Sequence, residues 1–208
     1  MTSSAQPSTE LVLGFPTPGP LIGTAYRDLY LAAEGSDNQK AAIGDPSLLP
    51  KPWDPPTCRN PHLRAELWEW LDQVVLWLNH EYVWDPEGMI PPCWPHHPHV
   101  VHELAVLADQ RRRAGISPDS NGLEEWHRYT LPGFLERLRG RLKSHCDQDH
   151  QAWPARSRQV RHTGDSHTQR RHAAFADDIR RLGASELIAP ARPRLTLLNT
   201  ETGELLDG

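Results

Sequence analysis

Cysteines and long apolar runs are scarce in this 208-residue sequence. Its three cysteines, at positions 58, 93 and 146, are odd in number and irregular in spacing, which excludes a disulfide framework. No basic residue precedes Arg27, so the secretory-signal pattern is absent and we expect a cytoplasmic, reducing location. No run approaches the ~18 apolar residues of a membrane-spanning helix, so we expect no membrane partner.

Apolar residues are also few, at 38% of the chain, whereas the 20 prolines are about twice the usual share of ~5%. Ten of these prolines fall in residues 1–61. Because proline lacks an amide donor and fixes φ, helices and central strands cannot run through such clusters. We therefore expect residues 1–59 to be a Pro-rich extended or disordered arm, interrupted by one short helix near Gly23–Glu34.

The net charge of −5 hides a division along the chain. Residues 1–149 carry a net charge of −7, residues 150–195 carry +5 and residues 196–208 carry −3. The acidic body would repel a phosphate backbone, whereas the basic segment would attract nucleic acid or an acidic partner. An ordinary solvated tail explains the same charges equally well.

Helical periodicity begins after Asn60-Pro61, a good N-cap followed by the residue best suited to the first helical position. This helix is expected to run to about Tyr82. Its apolar face spans roughly half of the cylinder, more than a surface helix requires, so it needs at least two covering neighbours, or one neighbour and a partner chain. The face includes three tryptophans, Trp68, Trp70 and Trp77, and we expect their exposed part to dock another protein or a second copy.

Two further helices complete the predicted all-α small helical bundle, which covers residues 60–145. One runs from Pro98 to about Gly115. The other follows Asn121-Gly122 and extends to Leu142, with either a kink or a fresh start capped by Thr130 at Pro132.

Residues 146–208 are predicted to be a basic, partly ordered tail. A polar stretch continues through Asp165, and a short helix is expected from Thr168 to Leu182. Two apolar runs, residues 195–198 and 204–206, flank a turn-like segment and are consistent with a terminal β-hairpin.

The sharpest candidate for chemistry is a set of side chains three residues apart. Zinc prefers four tetrahedral nitrogen or sulfur ligands, and residues three apart on a helix share a face. We expect histidines exposed on a loop and no cofactor, and a zinc site is the alternative that this pattern offers. The set consists of Cys93, His96, His99 and His102.

Two other histidines are interpreted structurally. His97 precedes Pro98 and suits a helix cap, with its ring directed into the tryptophan layer. His127 falls on the apolar line of the third helix, where a core histidine with a satisfied hydrogen bond is the default and a buried pH-sensitive group the alternative.

Arginines dominate the cations of the tail. If the apolar edge formed by Phe175, Ile179 and Leu182 docks, the basic edge is free to contact phosphate, as in a nucleic-acid-binding tail. The arginines assigned to this role are Arg156, Arg158, Arg161, Arg170, Arg171, Arg180 and Arg181. The sequence has no Gly-rich phosphate loop, nucleophile elbow or H-E-x-x-H motif, so we expect no enzyme.

Two short motifs lie within residues 68–142. They are Trp94-Pro95-His96-His97-Pro98 and Trp126-His127-Arg128 followed by Pro132. With the Trp-rich helix, they resemble an actinobacterial domain family of unknown function found on plasmids, prophages and integrative conjugative elements. The family has an acid-His pair and an acid where this chain has Tyr129-Thr130-Leu131. The resemblance assigns Trp94, His97, Trp126 and Arg128 to a motif without a known activity.

Together these features predict a non-catalytic accessory protein of a mobile element that acts by protein docking or self-association. A nucleic-acid-binding accessory protein is the first alternative, and a zinc-binding module is the second.

Overall fold

The computed structural model describes residues 11–188, 197–198 and 205–206. The chain forms two compact units, divided after Gln151. Over residues 11–188 the structure contains helices and no strand, which confirms the predicted all-α class. The helices of the first unit are α1 (Pro20–Glu34), α2 (Asp37–Ile43), α3 (Pro61–Glu81), α4 (Pro98–Ile116), α5 (Asn121–Glu125) and α6 (Leu131–Leu142).

Helix α3 forms the centre of the first unit. The Asn60 side chain caps it by accepting hydrogen bonds from the amides of His62 and Leu63. Its broad apolar face is buried against α1, α4 and the segments between them. This cover comes from the chain itself, so the wide face needs no partner protein. The buried residues of α3 are Leu63, Leu67, Trp70, Leu71, Val74, Val75, Trp77 and Leu78.

The leading segment, residues 11–19, lies extended across the tryptophans of α3. The Trp77 and Trp70 indoles donate hydrogen bonds to the carbonyls of Leu13 and Pro16, at 2.9 and 3.0 Å. Phe15 packs edge-on against Trp77 with ring centroids 5.1 Å apart. The Arg111 guanidinium lies over the rings of Phe15 and Trp77. These contacts fix a proline-rich segment that has no helix or strand of its own.

Residues 20–59 of the predicted arm form helices and tight turns rather than extended chain. Glu66 of α3 accepts hydrogen bonds from the amides of Leu21 and Ile22 and so caps α1. A capping box between Ser36 and Gln39 starts α2, a helix that the proline count obscured. Cys58 is buried in the common core, because the prolines around it form tight turns instead of loose chain.

The third predicted helix is continuous but changes its winding before Pro132. Residues Trp126–Thr130 form a π-helical segment, in which the Leu131 amide bonds to the carbonyl of Trp126, five residues earlier. This wider turn accommodates the ring of Pro132, which would clash with a carbonyl in a regular helix. The Thr130 side chain makes no cap, so the predicted fresh start does not occur and the π-helical segment connects the two stretches of helix.

The second unit begins at Ala152, whereas the predicted tail began at residue 146. It contains α7 (Arg156–Thr163) and α8 (Asp165–Ile188). α7 falls in the stretch expected to be polar and irregular, and α8 is longer than predicted at both ends. Two short strands, β1 (Leu197–Leu198) and β2 (Leu205–Leu206), pair antiparallel. The predicted turn between them lies outside the described residues. In the described part of the chain, no helix is both long and apolar enough to cross a bilayer.

Candidate metal centre

Two pairs of cysteine and histidine meet in the first unit, and each pair has the same internal spacing. Cys93 and His97 form one Cys-x-x-x-His pair, and Cys146 and His150 form the other. One ligand atom from each of the four residues lies within 4.8 Å of all the others. We call this set the Cys₂His₂ cluster. All four belong to the same compact unit, which ends at Gln151.

The first pair is placed by a tight turn that leads into α4. The Trp94 amide bonds to the carbonyl of Pro91, and the His97 amide bonds to the carbonyl of Trp94. A 3₁₀ turn, Trp94–His96, therefore brings Cys93 and His97 to the same side. Trp94 anchors the turn because its buried indole packs against Trp68, with ring centroids 5.8 Å apart.

The second pair follows the end of α6. Lys143 ends the helix with φ of +48°, a left-handed conformation that non-glycine residues seldom adopt, and the chain turns sharply there. The following turns carry Cys146 and His150 to the N-terminus of α4. The side chain of Cys146 is buried, so this turn is packed against the body of the unit.

The distances within the cluster suit a metal ion. The Nε2 atom of His97 lies 3.4 Å from the sulfur of Cys93 and 3.4 Å from the sulfur of Cys146. The His97 and His150 rings are 4.9 Å apart between centroids. With Zn–S bonds of about 2.3 Å and Zn–N bonds of about 2.0 Å, tetrahedral ligand atoms lie about 3.3–3.8 Å apart. A small contraction would bring the four atoms to that separation.

Burial shifts the pKa values of Cys93 and His97 in opposite directions. Desolvation raises the pKa of the Cys93 thiol, and the neighbouring Cys146 thiol raises it further. Desolvation lowers the pKa of His97, and His150, His99 and His96 add repulsion between positive charges. His97 is therefore poised as a neutral imidazole, the form that binds metals, whereas Cys93 must lose a proton on binding. Two thiolates and two imidazoles form a set that zinc prefers.

The cluster corrects the ligand set predicted from three-residue spacing. Only Cys93 of that set belongs to it. His96 is exposed and lies beside His150, with ring centroids 5.1 Å apart. His99 is half-buried, and its Nε2 atom has no hydrogen-bond partner among the described residues. His102 is exposed one turn further along α4, on a shallow surface with Glu103 and Arg137. His99 and His102 lie on α4 and His96 lies in the turn before it, and none of the three is among the four side chains that meet.

His97 combines a predicted position with a role that was not predicted. It is the N-cap residue of α4, and its carbonyl accepts the amides of Val100 and Val101. Its side chain makes no capping bond and contacts the two sulfurs rather than the tryptophan layer. The sequence does contain a signal for this role, because the Cys-x-x-x-His spacing at residue 93 is repeated at residue 146. A comparison of neighbouring residues alone does not reveal it.

The second motif of the sequence analysis is structural. Trp126 is buried and donates a hydrogen bond to the carbonyl of Leu107, at 3.2 Å. Arg128 is exposed and pairs with Glu124. His127 is exposed rather than in the core, and its Nε2 atom lies 3.1 Å from the Tyr82 hydroxyl. The π-helical segment explains the error, because it shifts the face on which residues after Trp126 lie.

The structure also differs from the predicted docking surface on the α3 tryptophans. Trp70 is 2% exposed and Trp77 is 5% exposed in the single chain. Trp68 is half-buried against Trp94. The leading segment covers Trp70 and Trp77, so these two residues cannot form the expected interface, whereas Trp68 stays partly exposed.

No protein-family model, curated protein or solved structure matches this chain. The resemblance of residues 68–142 to a mobile-element domain family therefore stays a prediction.

Proposed function

We propose that the protein is a non-catalytic, zinc-binding helical module. The observation that supports this proposal is the Cys₂His₂ cluster, in which one atom from each residue lies within 4.8 Å of all the others. Four protein ligands leave no coordination position for water or substrate, which is typical of structural rather than catalytic zinc sites.

The ion would act as a clamp between distant parts of the first unit. Cys93 and His97 hold the start of α4, whereas Cys146 and His150 lie in the turns after α6. Those turns contain no helix, and Cys146 is their buried side chain. Zinc would fix them to α4, and its binding free energy would add to the folding free energy.

The wider role predicted from the resemblance, an accessory protein of a mobile element, is compatible with such a module. A role that depends on binding a protein or a second copy would need a surface other than the buried α3 tryptophans.

Native mass spectrometry of the reduced full-length protein, produced with zinc available, tests the proposal. We expect one zinc ion per chain. His97→Gln and Cys146→Ser should each remove it. His96→Gln, at the adjacent exposed position, is the matched control and should retain one ion.

Two results would contradict the proposal. One is a wild-type protein without zinc, and the other is a Cys146→Ser variant that still carries a full equivalent. Loss of zinc on replacement of His99 or His102, but not of His97, would restore the ligand set predicted from the sequence.

A further inference from the structure

The second unit carries exposed arginines around the junction of its two helices. Five arginines fall in residues 156–171, and Asp165 is the single acidic residue in residues 152–176. Four of these arginines are exposed, and no carboxylate among the described residues lies within ion-pair distance of them. We call these four the basic patch: Arg156, Arg158, Arg161 and Arg170.

The fifth arginine holds the junction together. The Arg171 guanidinium donates hydrogen bonds to the carbonyl of His162, at 2.7 Å, and to the hydroxyl of Thr168, at 3.1 Å. The amides of His167 and Thr168 bond to the carbonyl of Gly164, the one residue between α7 and α8. The basic patch is therefore presented on two helices that are fixed to each other, which lowers the entropy cost of binding.

The other two arginines of the predicted nucleic-acid set are different. Arg180 and Arg181 both form ion pairs with Asp177, each with a different oxygen of its carboxylate. Asp178 adds a further negative charge beside them. The structure thus divides the seven arginines into a basic patch, one bridging residue and a neutralised pair.

We propose that the basic patch binds the phosphodiester backbone of nucleic acid. All the cationic residues in residues 152–176 are arginines, whose planar guanidiniums match phosphate oxygens in two-point hydrogen bonds. A membrane surface fits less well, because Val160 is the single bulky apolar residue in residues 156–172. Phe175, Ile179 and Leu182 lie further along α8, beyond the patch.

Fluorescence anisotropy of the full-length, reduced protein with a labelled 20-base-pair DNA duplex of arbitrary sequence tests this proposal. Two to four phosphate contacts predict that log K falls with log salt at a slope of about −1.8 to −3.6, a loss of roughly 12- to 150-fold between 50 and 200 mM salt. The double variant Arg158→Gln with Arg161→Gln should weaken binding and reduce the slope by about 2. Glutamine preserves helix propensity, and unchanged helical circular dichroism would confirm the fold.

The matched control is Arg180→Gln with Arg181→Gln, which removes the same charge from the same unit. Because Asp177 already engages both side chains, its salt slope should equal that of the wild type. Three results would overturn the proposal: no duplex binding at 50 mM salt, equal slopes for the two double variants, or equally tight binding of poly-glutamate. Binding to phosphatidylglycerol vesicles without binding to the duplex would overturn it in favour of a membrane surface.

Discussion

The Nε2 atom of His97 and the sulfur of Cys146 lie 3.4 Å apart, although they are 49 positions apart in the chain. A cross-link across such a loop removes conformational freedom from the unfolded chain, about 4 kcal/mol in the chain-entropy model. A zinc ion bound at both ends of this loop would provide that cross-link.

Zinc removal should lower the stability of the wild-type protein. At free zinc of about 100 times its Kd, binding contributes about 2.7 kcal/mol to the free energy of unfolding. For a chain of this size, chelation should therefore lower Tm by about 5–10 °C. Thermal melts followed by circular dichroism, with and without a chelator, measure the shift. The His97→Gln variant should melt at one temperature under both conditions, and a zinc-dependent Tm in that variant would show that the ion binds elsewhere.

Zinc binding should release about two protons per ion near pH 7. Burial raises the pKa of the Cys93 thiol, and thiols are ordinarily protonated at this pH, so two cysteine ligands supply two protons. The lowered pKa of His97 means that this ligand is already neutral and releases none. The apparent affinity should thus rise about 100-fold per pH unit around neutrality. Titration calorimetry in buffers of different ionisation enthalpy counts the protons, and a count near zero would show preformed thiolates.

Loss of the Phe15 ring should detach the leading segment from α3. Phe15→Ala removes contacts with Trp70, Trp77 and Arg111, and we expect a loss of about 2 kcal/mol in the free energy of unfolding. Tryptophan fluorescence should also shift to the red as the indoles of α3 become hydrated. Urea unfolding gives the energy. Leu11→Ala, in the same segment at a side chain that is 98% exposed, should change it by less than about 0.5 kcal/mol.

The hydrogen bond from Trp126 to Leu107 should be needed for stability. Trp126→Phe leaves the Leu107 carbonyl without its 3.2 Å donor and opens space in the core, which should cost about 2 kcal/mol. The same substitution at Trp84, which is fully exposed, should have no measurable effect. Chemical denaturation of both variants tests this prediction. If the two variants were equally destabilised, Trp84 would have to make stabilising contacts in solution, which would contradict its full exposure.

Much of the first unit follows from local sequence signals. Asn60-Pro61 marked the start of α3 and Pro98 that of α4, since caps and first-turn prolines act within a few residues. The proline-rich start was harder to predict. Its segments are fixed by indole and carboxylate groups more than 40 residues away, such as Glu66 and Trp77, and periodicity does not report such contacts.

The candidate site shows the same limit. The sequence suggested a cluster around Cys93 because neighbouring histidines were plentiful, but the side chains that complete the cluster come from His97 and from residues about 50 positions later. Cys146 and His150 are brought to the site by the sharp turn at Lys143, where a non-glycine residue has a positive φ. A lysine at this position does not indicate a positive φ, so this turn could not be predicted from the sequence.

The two Cys-x-x-x-His pairs are also synthesised one after the other. At about 5–20 residues per second, the ribosome adds the residues between His97 and Cys146 in roughly 2–10 seconds. During that interval the nascent chain has one thiol and one imidazole of the cluster, a two-point site that holds zinc weakly. The α3 tryptophans and the leading segment are already synthesised by then. If zinc binds the cluster, packing of the first helices can therefore come before closure of the site, which would wait for the last residues of the unit.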